Sequence, residues 1–136
     1  DNAPTILDMA GIKIPDDMQG RSLLPVFRGK TPADWRHSMY YHYYEFAPPH
    51  WVLPCSGVRT DRYKLIYYYT INEWELFDLQ KDPDEMENLF VKEGMDIKPG
   101  YEGVLKDLLS QLAALREKYR DDTGSPLKFW PRQSYN

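Results

Sequence analysis

The sequence predicts an α+β fold in which one long helix covers one face of an antiparallel sheet. Two observations carry this prediction. Between residues 38 and 78 there are short runs, rich in tyrosine, whose side chains alternate between two faces, as in β-strands. From Tyr101 to Tyr119 the apolar residues recur at intervals of three and four, which places them along one side of a helix. Strands followed by a long helix are the pattern of the α+β class.

Four antiparallel strands account for the alternating part of the sequence. They are predicted near residues 38–45, 56–60, 63–69 and 74–78. In the first strand Tyr40 and His42 would share one face and Tyr41 the other. The second and third strands would form a hairpin that turns at Thr60 and Asp61.

Two short helices are predicted before the strands. The first covers residues 1–11, with Asp1 as its cap and Gly11 as its end. Ser22 is expected to cap the second, over Leu23–Arg28.

The sequence after the fourth strand predicts a further short helix, a loop and the long helix. Asp82 followed by Pro83 is typical of a helix start, and this helix would end near Asn88. Residues 91–100 are predicted to be a polar loop, and residues 101–119 form the long helix. Its apolar stripe consists of Tyr101, Leu105, Leu108, Leu112, Leu115 and Tyr119.

Composition excludes several functional classes. The net charge of −4 argues against a nucleic-acid partner, since phosphate contacts need a basic surface. No apolar run approaches the roughly 20 residues of a membrane span. Cys55 is the single cysteine of the 136 residues, which excludes an intrachain disulfide and a zinc site built from several cysteines.

The start of the chain has neither an initiator methionine nor a signal peptide. We therefore expect a piece cut from a longer protein. The apolar faces of residues 1–29 would then lack part of their cover, and self-association of the isolated piece through these residues is possible.

The histidines are the first candidates for chemistry. His37, His42 and His50 do not have the spacing of a metal site. His37 is expected on a solvated strand edge and His42 in a hydrogen-bonded position on the sheet. His50 lies in a proline-rich loop, where a stiff backbone presents a side chain at low entropic cost, and it is the candidate binding residue. Cys55 is expected to be a small, half-buried residue.

Eight of the 11 tyrosines fall in the predicted strands. Aromatic side chains stabilise sheets through cross-strand pairs, so sheet packing is the favoured role. Two alternatives stay open: an aromatic carbohydrate-binding surface, and a protein-interaction module without a ligand.

The order of six motifs along the chain resembles the C-terminal part of a type I sulfatase, of the arylsulfatase kind within the alkaline phosphatase-like superfamily. The resemblance covers about residues 1–119. The motifs are the runs at residues 1–11, 19–25, 57–66, 74–79, 82–83 and 85–89, among them Gly57-Val58-Arg59-Thr60 and Glu87-Asn88-Leu89.

The resemblance implies that the full enzyme has two domains with different roles. The full enzyme would hydrolyse sulfate esters, which are expected to be those of sulfated carbohydrates, with calcium and a formylglycine held in its N-terminal α/β catalytic domain. The formylglycine motif Cys/Ser-x-Pro-x-Arg is absent here, so no catalytic or metal-binding residue is assigned. Residues 1–35 would be the tail end of the catalytic domain plus a linker, and residues 36–136 the C-terminal subdomain, whose sheet packs on the catalytic domain.

The resemblance also implies a role for the loop between the first two strands. His50 matches a histidine that contacts substrate in bacterial relatives, while a second histidine of those relatives is replaced by Cys55-Ser56. The implied partners are the N-terminal catalytic domain and a sulfated carbohydrate, and the implied location is periplasmic or secreted. The chain by itself is expected to be inactive.

Overall fold

The computed structural model describes residues 1–45, 51–91 and 96–122. The chain divides into two compact units, Asp1–Arg36 and His37–Asn136. Within the described ranges, every helix is too short or too polar to cross a bilayer.

The first unit contains two short helices, α1 (Asn2–Met9) and α2 (Leu24–Phe27). Thr5 connects them, because its hydroxyl donates to the Asp1 carbonyl at 2.7 Å and accepts the Leu23 N–H at 2.9 Å. Both helices are where the sequence places them but are shorter than predicted, and Gly11 follows α1 with a left-handed φ of +69°. A side chain at that φ would strain the turn, so glycine suits this helix end.

The predicted caps act differently from the expectation. The Asp1 carboxylate does not cap α1 and instead accepts the Arg21 N–H at 2.9 Å and pairs with the Arg36 guanidinium. The Ser22 hydroxyl accepts the Leu24 N–H at 3.1 Å, although the residue that caps α2 is Leu23.

The first unit leaves apolar side chains uncovered, as expected for residues 1–29. Ile6 is 66% exposed and Phe27 is 68% exposed.

The second unit is built on a four-stranded antiparallel sheet in the order β1-β2-β3-β4, so neighbours in sequence are neighbours in space. This confirms the predicted α+β fold. The strands are β1 (Ser38–Tyr43), β2 (Cys55–Thr60), β3 (Tyr63–Tyr68) and β4 (Glu73–Asp78).

The long helix α3 (Glu102–Lys118) packs on the sheet, also as predicted. Its apolar stripe is buried at Leu105, Leu108 and Leu112, which meet Leu65 and Leu76 of the sheet in one core. Tyr67 and Trp74 stack in the same core with ring centroids 4.2 Å apart.

The segment after β4 differs from the sequence-based expectation in two places. The helix predicted from Asp82 to Asn88 is wrong: Glu85 has a φ of +56°, and the Asp82 carboxylate accepts the N–H groups of Met86 and Glu87. Within 91–100, predicted as a loop, Asp96–Ile97 (β6) pairs with Phe90–Val91 (β5) in a two-stranded sheet.

Candidate functional site

The antiparallel register assigns each strand residue to one of two faces of the sheet. One row on the face that packs against α3 consists of Tyr40, Val58, Leu65 and Leu76. The next row points the opposite way and consists of Met39, Arg59, Lys64 and Phe77. We call this second face, which also carries Tyr41, Ile66 and Tyr68, the pocket face.

A hollow of about 320 Å³ lies on the pocket face. Its lining includes Met39, Tyr41, Val52, Arg59, Ile66 and Tyr68. Three of these residues are apolar and about half exposed: Met39 at 48%, Tyr41 at 50% and Val52 at 47%. Such a cluster of exposed apolar side chains is typical of a binding surface.

Gly57 lies in the floor of the hollow, where β2 approaches β3 closely. A Cβ atom at this position would lie 2.5 Å from the Leu65 carbonyl oxygen, so a larger residue would force the strands apart. This explains why the strand that begins at Cys55 contains a glycine.

Several polar groups at the hollow are already paired. The Lys64 ammonium pairs with the Glu85 carboxylate. The Tyr68 hydroxyl donates to Glu75 Oε2 at 3.1 Å, and burial together with the Glu75 charge raises the pKa of Tyr68, which keeps the phenol protonated.

Cys55 is buried at the edge of the hollow, 5% exposed. Burial, and secondarily the charge of Glu75, raise the pKa of its thiol. Because the thiolate is the reactive form, a neutral buried thiol is a packing residue and not a nucleophile.

The predicted binding residue His50 lies in residues 46–50, outside the described residues. The strands before and after His50 are described: β1 ends at Tyr43 and β2 begins at Cys55. Val52, two positions after His50, lines the hollow. The proposed contact of His50 with substrate stays a prediction.

A second polar cluster, which we call the His42 network, lies on the helix face. The His42 Nδ1 lies 2.5 Å from Asp121 Oδ2, and its Nε2 lies 3.2 Å from the Tyr69 hydroxyl. The Tyr40 hydroxyl donates to the same Asp121 oxygen, and burial first, then Asp121, raise the pKa of Tyr40. The Tyr44 ring stacks on the imidazole at 3.8 Å. The buried His42–Asp121 pair thus joins β1 to the segment after α3.

The expected hydrogen-bonded position of His42 is found, whereas Asp121 was not singled out by its sequence context. The two residues are 79 positions apart, and no local pattern connects them. His37 is exposed, as predicted for a residue at the start of the first strand.

The aromatic side chains are divided between the two faces of the sheet. Tyr67 is buried and Tyr40, Tyr63 and Tyr69 pack against the core. The two exposed tyrosines of the first strand region are Tyr41, which lines the hollow, and Tyr44, which stacks on His42 on the opposite face. The arrangement favours sheet packing over a continuous sugar-stacking platform.

The residues that the structure describes do not fit a calcium ion, and the sequence does not fit a formylglycine. Across residues 1–45, 51–91 and 96–122, no three His, Cys, Asp or Glu side chains are grouped as metal ligands. The printed sequence also contains no Cys/Ser-x-Pro-x-Arg run. No catalytic step is therefore assigned to this chain's residues.

Comparison with known proteins gives the family. Residues 1–118 match the family model described as "N-sulphoglucosamine sulphohydrolase, C-terminal". An N-acetylglucosamine-6-O-sulfatase of Bacteroides thetaiotaomicron is 46% identical over 125 residues, which is 90% of this chain and 21% of the relative. An arylsulfatase of Clostridium perfringens is 32% identical over 89% of this chain and 24% of its own length.

Solved structures agree with the sequence relatives. A protein in complex with its substrate D-glucosamine-2-N,6-O-disulfate superposes with a TM-score of 0.79 at 43% identity, over 90% of this chain and 24% of that chain. A 2-O GAG sulfatase superposes with a TM-score of 0.73 at 31% identity, over 90% of this chain and 25% of that chain. The chain therefore spans about a quarter of these structures or less, and it belongs to the N-sulphoglucosamine sulphohydrolase C-terminal family, the C-terminal region of sulfatases of the alkaline phosphatase-like superfamily.

Proposed function

We propose that this chain is the C-terminal part of an enzyme that hydrolyses sulfate esters of carbohydrates. The observation that carries the proposal is the family match over residues 1–118, together with relatives named for sulfated sugars. Two of these relatives are the N-acetylglucosamine-6-O-sulfatase and a Delta 4,5-hexuronate-2-O-sulfatase of the same bacterium, the latter 38% identical over 65% of this chain and 18% of its own length.

In this proposal the chain supports catalysis without performing it. Residues 1–35 are the tail end of the catalytic domain plus a linker, and residues 36–136 are the C-terminal subdomain. The sheet packs on the catalytic domain, and His50 contacts the sugar. The apolar side chains on the pocket face and the exposed apolar residues of the first unit, such as Ile6 and Phe27, support the idea of a neighbouring domain.

The chemistry of sulfate transfer would lie in the N-terminal catalytic domain. Calcium and formylglycine belong to that domain in this proposal, as the sulfatase family implies. The proposed location is periplasmic or secreted. In the isolated chain the apolar side chains of residues 1–29 would lack their cover, which would permit self-association through these residues.

Release of inorganic sulfate from a panel of sulfated mono- and disaccharides tests the proposal. The full-length protein is expected to release sulfate. Residues 1–136 alone, and a full-length variant whose formylglycine precursor is replaced by alanine, are expected to release none. Sulfate release by residues 1–136 alone, or none from any sugar by the full-length protein, would overturn the proposal.

A further inference from the structure

Two cationic side chains lie directly opposite each other on the pocket face. Arg59 of β2 is the register partner of Lys64 of β3. Like charges in directly opposed positions destabilise an antiparallel pair unless an anion lies nearby.

Only one of these two charges is compensated within the described part of the chain. Lys64 pairs with Glu85 from the segment after β4. The Arg59 side chain is exposed and makes no hydrogen bond or ion pair with any residue in the described ranges. The pair therefore keeps a positive charge that an external anion would neutralise.

The surroundings of Arg59 indicate what carries that anion. The hollow beside it is lined mainly by apolar side chains, with Met39, Tyr41 and Val52 each about half exposed. Apolar and aromatic residues around an arginine are typical of a protein–protein contact. A sulfated sugar, by contrast, presents hydroxyl and sulfate groups that an apolar wall leaves without partners.

We propose that a segment of the catalytic domain of the same protein inserts an apolar side chain into the hollow and places a carboxylate on Arg59. The inference rests on the proposed function, because it assumes that domain. The catalytic domain is the chosen occupant since this chain covers only 21% of the N-acetylglucosamine-6-O-sulfatase, and most of such a protein lies outside it. Bidentate carboxylate binding suits a guanidinium better than an ammonium.

Oxidation of Met39 by hydrogen peroxide reports directly on the hollow. Met39 is 48% exposed when only this chain is considered. In the native full-length protein, peptide mass spectrometry is expected to show Met39 oxidation slowed about tenfold or more relative to the urea-unfolded protein, because an occupied hollow excludes peroxide.

Charge reversal then tests the role of Arg59. In full-length Arg59→Glu the oxidation of Met39 is expected to approach the unfolded rate, because two carboxylates repel each other. Arg59→Lys should give an intermediate rate. Lys106→Glu is the matched control: it makes the same change of charge at an exposed position of α3, and it should leave Met39 protected.

The outcomes separate this inference from the proposed function. If the full-length protein releases sulfate while Met39 oxidises at nearly the unfolded rate, the hollow is unoccupied and the inference is wrong, while the proposed function stands. If Met39 stays protected in Arg59→Glu, Arg59 has no carboxylate partner and that assignment is overturned.

If Arg59→Glu raises KM for sulfated sugars with Met39 still protected, Arg59 binds substrate instead. Absence of sulfate release from every sugar contradicts the proposed function, whatever Met39 does.

Discussion

At the residue scale, an ion pair explains two positions of the sulfatase-like motifs. The Arg62 guanidinium donates to the two carboxylate oxygens of Asp78 at 3.0 and 2.8 Å. Asp78 is 2% exposed at the end of β4, whereas Arg62 lies in the turn between β2 and β3. The pair therefore fixes the β2–β3 hairpin against β4, helped by the bond from the Leu79 N–H to the Arg62 carbonyl. The hydrogen bonds from Arg62 lower the pKa of Asp78 below its ordinary value.

This lowered pKa predicts a loss of stability in acid. A carboxylate with a depressed pKa in the folded state contributes stability above its unfolded pKa of about 3.9, and that contribution is lost as pH falls below it. Asp78→Asn should therefore destabilise β3 and β4 at pH 7, and its difference from the native protein should shrink between about pH 4 and pH 3. The free energy of opening, obtained from hydrogen exchange of the strand amides at each pH, measures the effect.

The control for Asp78 is Asp61→Asn, in the same hairpin turn but exposed. It should change the opening free energy little at any pH. A difference between Asp78→Asn and the native protein that stays constant down to pH 3 would show that the charge of Asp78 is not the source of the stability.

Asn88 shows how one side chain can hold a short segment without regular secondary structure. Its Oδ1 accepts the N–H groups of Leu76 and Phe90, each at 3.0 Å, and its Nδ2 donates to the Trp74 carbonyl at 3.2 Å. These bonds give hydrogen-bond partners to the Leu76 N–H and the Trp74 carbonyl on the edge strand β4. They also hold the following residues, Leu89 and Phe90, in the core. The role of Asn88 could not be deduced from its position in the sequence, because two of its three partners, Trp74 and Leu76, lie in β4.

At the element scale, α3 is held by a narrow stripe of leucines. Leu112 is 0% exposed and lies among the sheet residues of the core. Leu112→Ala should destabilise the second unit by about 2–5 kcal/mol, because it removes buried methyl groups and leaves a cavity. Lys106→Ala on the exposed side of α3 should change stability by less than about 0.5 kcal/mol. Chemical denaturation followed by tryptophan fluorescence measures both, since Trp74 lies in the same core. Equal effects of the two substitutions would contradict the packing of the stripe.

The same scale shows which elements the sequence predicts and why. The four long strands are long enough to show an apolar period of two, and α3 is long enough to show a period of three to four. All five elements are found. The strands β5 and β6 have two residues each, which is too short for any period. The residues from Asp82 onward are typical of a helix start, although no helix forms there. The Asp82 carboxylate instead accepts the N–H groups of Met86 and Glu87 and closes a turn.

Less of the candidate site than of the fold could be predicted from the sequence. The motif Gly57-Val58-Arg59-Thr60 could be recognised in the sequence, but only the pairing of the strands explains why these residue types occur there. Gly57 fits beneath the Leu65 carbonyl, Val58 faces α3 and Arg59 faces the hollow. The hollow itself is formed by side chains from three strands and could not be deduced from any one of them.

At the scale of the whole molecule, the proposed enzyme would take binding surface from this chain and its bond-breaking groups from the catalytic domain. His50 is then the residue of this chain with the most direct proposed effect on turnover. In the full-length enzyme, His50→Ala should lower kcat/KM for a sulfated sugar about 10- to 100-fold, equivalent to roughly 1.4–2.7 kcal/mol. The reason is the loss of the polar contact proposed for His50, whose neighbours Pro48, Pro49 and Pro54 predict a segment with little backbone freedom. Steady-state kinetics measure the change.

The choice of substrate shows whether His50 acts on the sugar or on the sulfate. A neutral imidazole can accept from a sugar hydroxyl, and an imidazolium can donate to a sulfate oxygen. Because the sulfate-handling residues lie in the catalytic domain in this proposal, the loss should be large for a substrate that fills the sugar subsite and small for an aryl sulfate. His37→Ala, at an exposed histidine before β1, is the matched control and should affect neither substrate. Equal losses on both substrates would indicate misfolding or a direct role in sulfate transfer, and no loss on either would make His50 an ordinary loop residue.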